Sequence, residues 1–222
     1  TPSQKNQMES QKLLLIQKLN TMVSKKLKSP VCPDRYYHIY NRGNNKEKLF
    51  YHSGDYHFFL EKYKQYVTPY ADTYAFCLLP NHFHFLIKTG EKTNASISAV
   101  SNQLRRLFIS YTKRINNIHN RSGSLFTKNY QRIEIDSDRY LTQVIRYIHK
   151  NPVKHNIQND YENYHYSSYR IIVSDHETEL KRNEVIDWFI NKKEFIDYHR
   201  NDQVDPTTFN LLSIEDENSP DG

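Results

Sequence analysis

Cysteine is nearly absent from this 222-residue chain, and the shortage removes several functional classes at once. Cys32 and Cys77 are too few for a disulfide framework or a zinc ribbon, and Cys77 sits in an apolar, strand-like run, so a reducing, cytoplasmic setting is expected. No stretch approaches the ~18 consecutive apolar residues of a membrane span, and the N-terminus is polar where a signal peptide needs an apolar core. We therefore expect a soluble chain that is not exported and has no membrane partner. No internal repeat is present, and an aromatic content of 14% is enough to bury one substantial core. Lys and Arg outnumber Asp and Glu by 31 to 25, an excess that favours a polyanionic partner. The acidic tail from Asp202 onward hides part of the positive charge of the body.

Hydrophobic periodicity orders the rest. Residues 4–28 read as an amphipathic helix ending before Pro30, with Leu13, Ile16, Leu19, Val23 and Leu27 among lysines. The run Arg35 to Arg42 is rich in β-formers and stops at Gly43, which predicts a first strand. Tyr56, Phe59, Leu60, Tyr63 and Val67 recur at helical spacing over 55–68. Thr73 to Leu79 and His82 to Lys88 are two short apolar runs joined through Pro80-Asn81, as in tightly connected antiparallel strands. Val100, Leu104, Leu107, Tyr111 and Ile115 then follow a 3.6-residue period, and Gln131 to Ile135 reads as a further strand. Asp136-Ser137-Asp138 offers caps for a helix with a core stripe of Leu141, Val144, Ile145 and Ile148, expected to stop at Pro152. A tyrosine-rich segment, one helix around Val185, Trp188, Phe189 and Phe195, and a disordered tail after about residue 201 complete the reading. The order predicts an α+β fold: an antiparallel, ferredoxin-like sheet with helices on one face.

The chemistry gathers at His82-Phe83-His84. A strand turns alternate side chains to opposite faces, so the two imidazoles point together while Phe83, Phe85 and Ile87 point away. Such a pair can meet one metal ion, although taken alone the pattern more often marks two satisfied or exposed histidines. A partner downstream favours the metal. At about 100° per residue, Tyr140, Tyr147 and Asn151 fall on one flank of the helix that begins near Asp138. Asn151 can add an amide oxygen to the two imidazole nitrogens, a mixed set that suits Mg²⁺ or Mn²⁺ and leaves positions for phosphate and water. Tyr147, four residues earlier, is then placed to attack phosphorus and form a covalent phosphotyrosine.

Four segments carry a resemblance. Tyr37-His38-Ile39-Tyr40-Asn41-Arg42-Gly43-Asn44-Asn45 is followed by Leu79-Pro80-Asn81-His82-Phe83-His84-Phe85-Leu86-Ile87. Arg146-Tyr147-Ile148-His149-Lys150-Asn151-Pro152-Val153-Lys154 and Tyr164-His165-Tyr166-Ser167-Ser168-Tyr169 follow in order. Across residues 35 to 170 the chain resembles the single-tyrosine transposases of the His-hydrophobe-His class, in particular the REP-associated tyrosine transposases. The resemblance implies an RRM-like nuclease core with His82 and His84 as metal ligands, Asn151 where a third ligand is supplied, and Tyr147 as nucleophile. It also implies a single-stranded DNA substrate, typically a hairpin flanked by a short guide sequence, cleaved through a 5′-phosphotyrosine and rejoined. The corresponding division is an N-terminal helical extension (1–30), the transposase domain (31–175), a C-terminal helical extension (176–200) and a tail (201–222). The resemblance explains neither extension, and monomer and homodimer both stay open.

For DNA contacts, phosphates call for Lys or Arg and unpaired bases for flat or small polar surfaces. Arg42, Asn44, Asn45 and Lys46, after the first strand, are the leading candidates. Lys128 and Arg132 come next, then Arg105 beside Arg106, where a solvated helix face is the alternative. Two other functions fit the same residues: a hairpin-binding protein of this fold that no longer cuts, and a phosphodiesterase that uses activated water.

Overall fold

The computed structural model describes residues 31–90, 99–127 and 129–201. The expected N-terminal helix, the tail and Lys128 lie outside the described residues. Strand β1 (Tyr36–Arg42) leads through a short 3-10 turn (Asn44–Lys46) to helix α1 (Ser53–Tyr66). Strands β2 (Ala71–Leu79) and β3 (His82–Thr89) form the hairpin, followed by α2 (Ala99–Ile118), β4 (Gln131–Ile135) and α3 (Asp138–Lys154). Three shorter helices close the described chain: α4 (Tyr169–Val173), α5 (Arg182–Trp188) and α6 (Lys192–Arg200). The sheet order is β2-β3-β1-β4 with every pair antiparallel, the split β-α-β arrangement expected for a ferredoxin-like α+β domain.

Alternation along the strands divides the core in two. Tyr37, Ile39, Phe83, Phe85 and Ile87 face α1 and α2. Ala75, Cys77, Leu79, Leu86, Ile133 and Ile135 face the stripe Leu141, Val144, Ile145 and Ile148 of α3, together with Val185, Phe189 and Phe195. Helices thus cover both faces of the sheet, not one. The reason is visible in β2 and β3, whose residues are buried almost without alternation, as a strand covered on both sides requires.

Two boundaries also differ from expectation. Pro152 lies inside α3, which runs on to Lys154. The proline withdraws one donor, from the Ile148 carbonyl, while the neighbouring Tyr147 carbonyl gains the Asn151 side-chain amide at 2.8 Å. The helix ends at Lys154, and two residues on Asn156, with a φ of 53°, takes the left-handed conformation common just past a helix end. The single helix expected near residue 188 is two, divided at Ile190 (φ 74°), with Asn191 capping α6 through a 3.0 Å bond from the Glu194 amide. The tyrosine-rich segment acts as an edge: Leu78 N–H donates to Tyr166 and Ser168 N–H to Phe76, covering the outer side of β2. No helix among the described residues is long and apolar enough to cross a membrane.

Candidate active site

The turn that starts β3 is tied down from outside. The Pro80 carbonyl accepts from Leu49 and Phe50 amides at 2.7 and 3.0 Å, and the Asn81 carbonyl accepts from Gly43 at 2.8 Å. His82 and His84 therefore enter the second face of the sheet at a fixed height. They are 5% and 2% exposed, with ring centroids 5.2 Å apart. α3 crosses β2 and β3 on this face, so the ring of Tyr147 meets that of His84 at 5.6 Å and nearly edge-on, and Asn151 is fully buried close by.

Each imidazole is held by its Nδ1. His82 Nδ1 lies 2.7 Å from the Asn81 side-chain oxygen, which only accepts, so Nδ1 carries the proton and Nε2 keeps a lone pair. His84 Nδ1 lies 3.0 Å from His38 Nε2. When His84 donates in that bond its Nε2 also presents a lone pair, the tautomer a metal ligand needs. The Asn151 amide nitrogen donates to Tyr147, which turns its oxygen outward. His82 Nε2, His84 Nε2 and Asn151 Oδ1 are all buried and make no hydrogen bond within the protein. Burying such a group unsatisfied costs about 1 to 3 kcal/mol. Three of them side by side fit a divalent cation, with coordination positions left over for other ligands.

The electrostatics fit too. Burial pushes the pKa of both histidines well below the usual imidazole value, so they stay neutral and available to a metal. After burial, a charge on His82 is further disfavoured by His155, Arg42 and Lys154, and a charge on His84 by His38, His82, His155 and Lys154. Asn151 opposes it by favouring a charged His82, although the two make no well-aligned hydrogen bond. Among the described residues no three His, Cys, Asp or Glu side chains converge as ligands.

The other candidates divide. Arg42 stands opposite His82 in the β1–β3 register, at the site itself. Asn44, Asn45 and Lys46 form an exposed turn directly after it, with Asn45 and Lys46 at φ 53° and 59°. A Cβ at Gly43 would stand 2.0 Å from the Glu47 carbonyl oxygen, so the close return of this turn depends on glycine. Arg132 pairs with Ile39, whose side chain enters the α1 and α2 core, and stacks on Tyr130 at 5.8 Å; it belongs to the face opposite the histidines. Arg105 is exposed on α2, also on that opposite side. Tyr140, expected beside Tyr147 and Asn151, is buried in the second core. Sequence reasoning missed Asn81, His38, Lys154 and His155. Their signal was weak: His38 shares a face with the pair only through a register 46 residues distant, and Lys154 lies beyond the proline expected to end the helix.

A family model described as "Transposase IS200 like" matches residues 32–151. Among solved structures, the chain is similar to one titled "Structure of the REP associates tyrosine transposase bound to a REP hairpin", at 15% identity and a TM-score of 0.56. The match covers 67% of this chain and 84% of that one. No curated protein matches.

Proposed function

The chain belongs to the IS200-like transposase family, and from that premise we propose that it cuts and rejoins single-stranded DNA through Tyr147, with a divalent ion held by His82, His84 and Asn151. The observation that carries the reading is the trio of buried lone pairs on those three residues, beside the tyrosine on α3. Mg²⁺ or Mn²⁺ is the ion that suits two imidazoles and an amide oxygen with positions to spare. When bound, it supplies positive charge to a non-bridging oxygen of the scissile phosphate.

The protein's own groups do the rest. The Tyr147 oxygen attacks phosphorus and forms the phosphotyrosine bond, the bond from phosphorus to the 3′-oxygen breaks, and the phenolic proton balances the charge of the released 3′-hydroxyl. Reversal with another 3′-hydroxyl rejoins the strand. The substrate we propose is a DNA hairpin with single-stranded flanks, a reading supported by the similar solved structure's being described as bound to a REP hairpin. The exposed turn at Asn44–Lys46, next to Arg42, is the surface we assign to unpaired bases.

The test is direct. Single-stranded oligonucleotides from the flanks of the protein's own gene are incubated with it and a divalent ion, and a covalent, protease-sensitive adduct is sought. Tyr147→Phe deletes only the attacking oxygen, so the variant should fold, bind DNA and form no adduct. An adduct with that variant would remove Tyr147 as nucleophile, and cutting without any adduct would point to activated water. Binding without cutting by the parent would favour a hairpin-binding protein.

A further inference from the structure

Two cationic side chains, Arg42 and Lys154, flank the histidine pair among the described residues. Arg42 stands opposite His82 in the strand register. Lys154 lies two helical turns beyond Tyr147 on the same face of α3, because the helix continues through Pro152, and its ammonium sits 4.7 Å from the centre of the Tyr147 ring. His155 packs its ring 4.5 Å from that of His82. The ligands themselves are neutral. Among the described residues no three His, Cys, Asp or Glu side chains gather to hold a metal, and a divalent ion entering here meets a lysine and an arginine, an arrangement that repels it until an anion arrives.

Resting on the reading above, we infer that divalent metal and phosphodiester load this site as a linked pair, with Lys154 and Arg42 holding the non-bridging oxygens of the phosphate beside the metal. Lys154 is in this view a substrate-binding residue, placed over the nucleophile so that the phosphate it attracts lies next to the attacking oxygen. Three consequences follow. The free protein binds Mn²⁺ weakly. Single-stranded DNA raises that affinity, and Mn²⁺ raises the affinity for DNA by the same factor, since coupling between two ligands is reciprocal. Finally, removing Lys154 has opposite effects on the two ligands, which a loss of structure cannot produce.

The experiment uses the Tyr147→Phe protein, so that no strand is cut. Mn²⁺ is titrated by electron paramagnetic resonance with and without a saturating single-stranded oligonucleotide, and DNA binding is measured with and without Mn²⁺. We expect DNA to tighten Mn²⁺ about 5 to 100-fold, with an equal gain in the reverse direction. Adding Lys154→Met should tighten Mn²⁺ in the absence of DNA and shrink the gain that DNA provides; Lys154→Arg should restore the gain. Arg42→Gln is the second variant and should act in the same direction. Mn²⁺ affinity indifferent to DNA overturns the inference, as does a Lys154→Met protein that folds normally and binds free Mn²⁺ less well. The parent's adduct assay is scored separately. An adduct without metal–DNA linkage defeats only this inference, whereas linkage without an adduct supports it and defeats the role of Tyr147.

Discussion

His38 offers the sharpest test of how the proposed metal centre is prepared. Its ring is fully buried, and its Nε2 lies 3.0 Å from His84 Nδ1. Replacing it with leucine keeps an apolar side chain of similar bulk but removes the acceptor. His84 then has two options. It can keep its proton on Nδ1, buried without a partner, at a cost of about 1 to 3 kcal/mol in stability. Alternatively it can move the proton to Nε2, which spares the fold but destroys the lone pair that the metal needs. Either way Mn²⁺ affinity should fall, by about 10 to 100-fold as for other partners behind metal ligands. His38→Gln can present an oxygen to the same proton and should recover much of the affinity. The assay pairs a Mn²⁺ titration with urea unfolding in metal-free buffer, which separates the two options. A His38→Leu protein with the parent's Mn²⁺ affinity would show that this hydrogen bond does not orient His84, and the tautomer argument would fail.

A second set of histidines makes stability acid-sensitive. His199 donates from Nδ1 to the Phe195 carbonyl, contacts His149 at 2.9 Å, and His149 in turn contacts Ser168 at 2.8 Å. Burial lowers His199 from 6.5 to about 3 and His149 well below its usual value. Both bind protons only once unfolded, so their contribution is complete above the ordinary imidazole value and is lost as pH falls from there towards the folded value. His199 alone should remove about 2 kcal/mol between roughly pH 7.5 and pH 5. Urea melts at the two pH values measure this, and a slope unchanged in His199→Phe would contradict it. Gly43→Ala places a methyl against the Glu47 carbonyl and should cost about 1 to 3 kcal/mol in thermal unfolding while weakening DNA binding; a parent-like melt would mean the turn can open freely. Arg42→Ala should weaken binding to the cognate hairpin by about 1 to 3 kcal/mol and Arg105→Ala by much less, because only Arg42 adjoins the histidines. Equal losses in paired titrations would dissolve that distinction.

What the sequence determined by itself was local. The alternation at 82–87 places both histidines on one side of β3, the period of α2 and the stripe of α3 are repeated in the structure, and β4 spans the residues read for it. These follow from neighbours a few residues apart, where the geometry of one strand or one helix turn decides the outcome. Only the tertiary structure decided which partners the histidines meet. His38 reaches His84 through a strand register, and Arg42 reaches His82 through the same register, set by cross-strand pairing along the whole of β1 and β3. The helix continues through Pro152 to Lys154, and that continuation carries Lys154 over Tyr147. Beside α3, the cover of the second sheet face is completed by the tyrosine-rich segment and by α5 and α6, which return to it from far along the sequence, as Ser168 does to Phe76 at a separation of 92. Such contacts depend on how the whole chain closes on itself, and no periodicity within a single element encodes them.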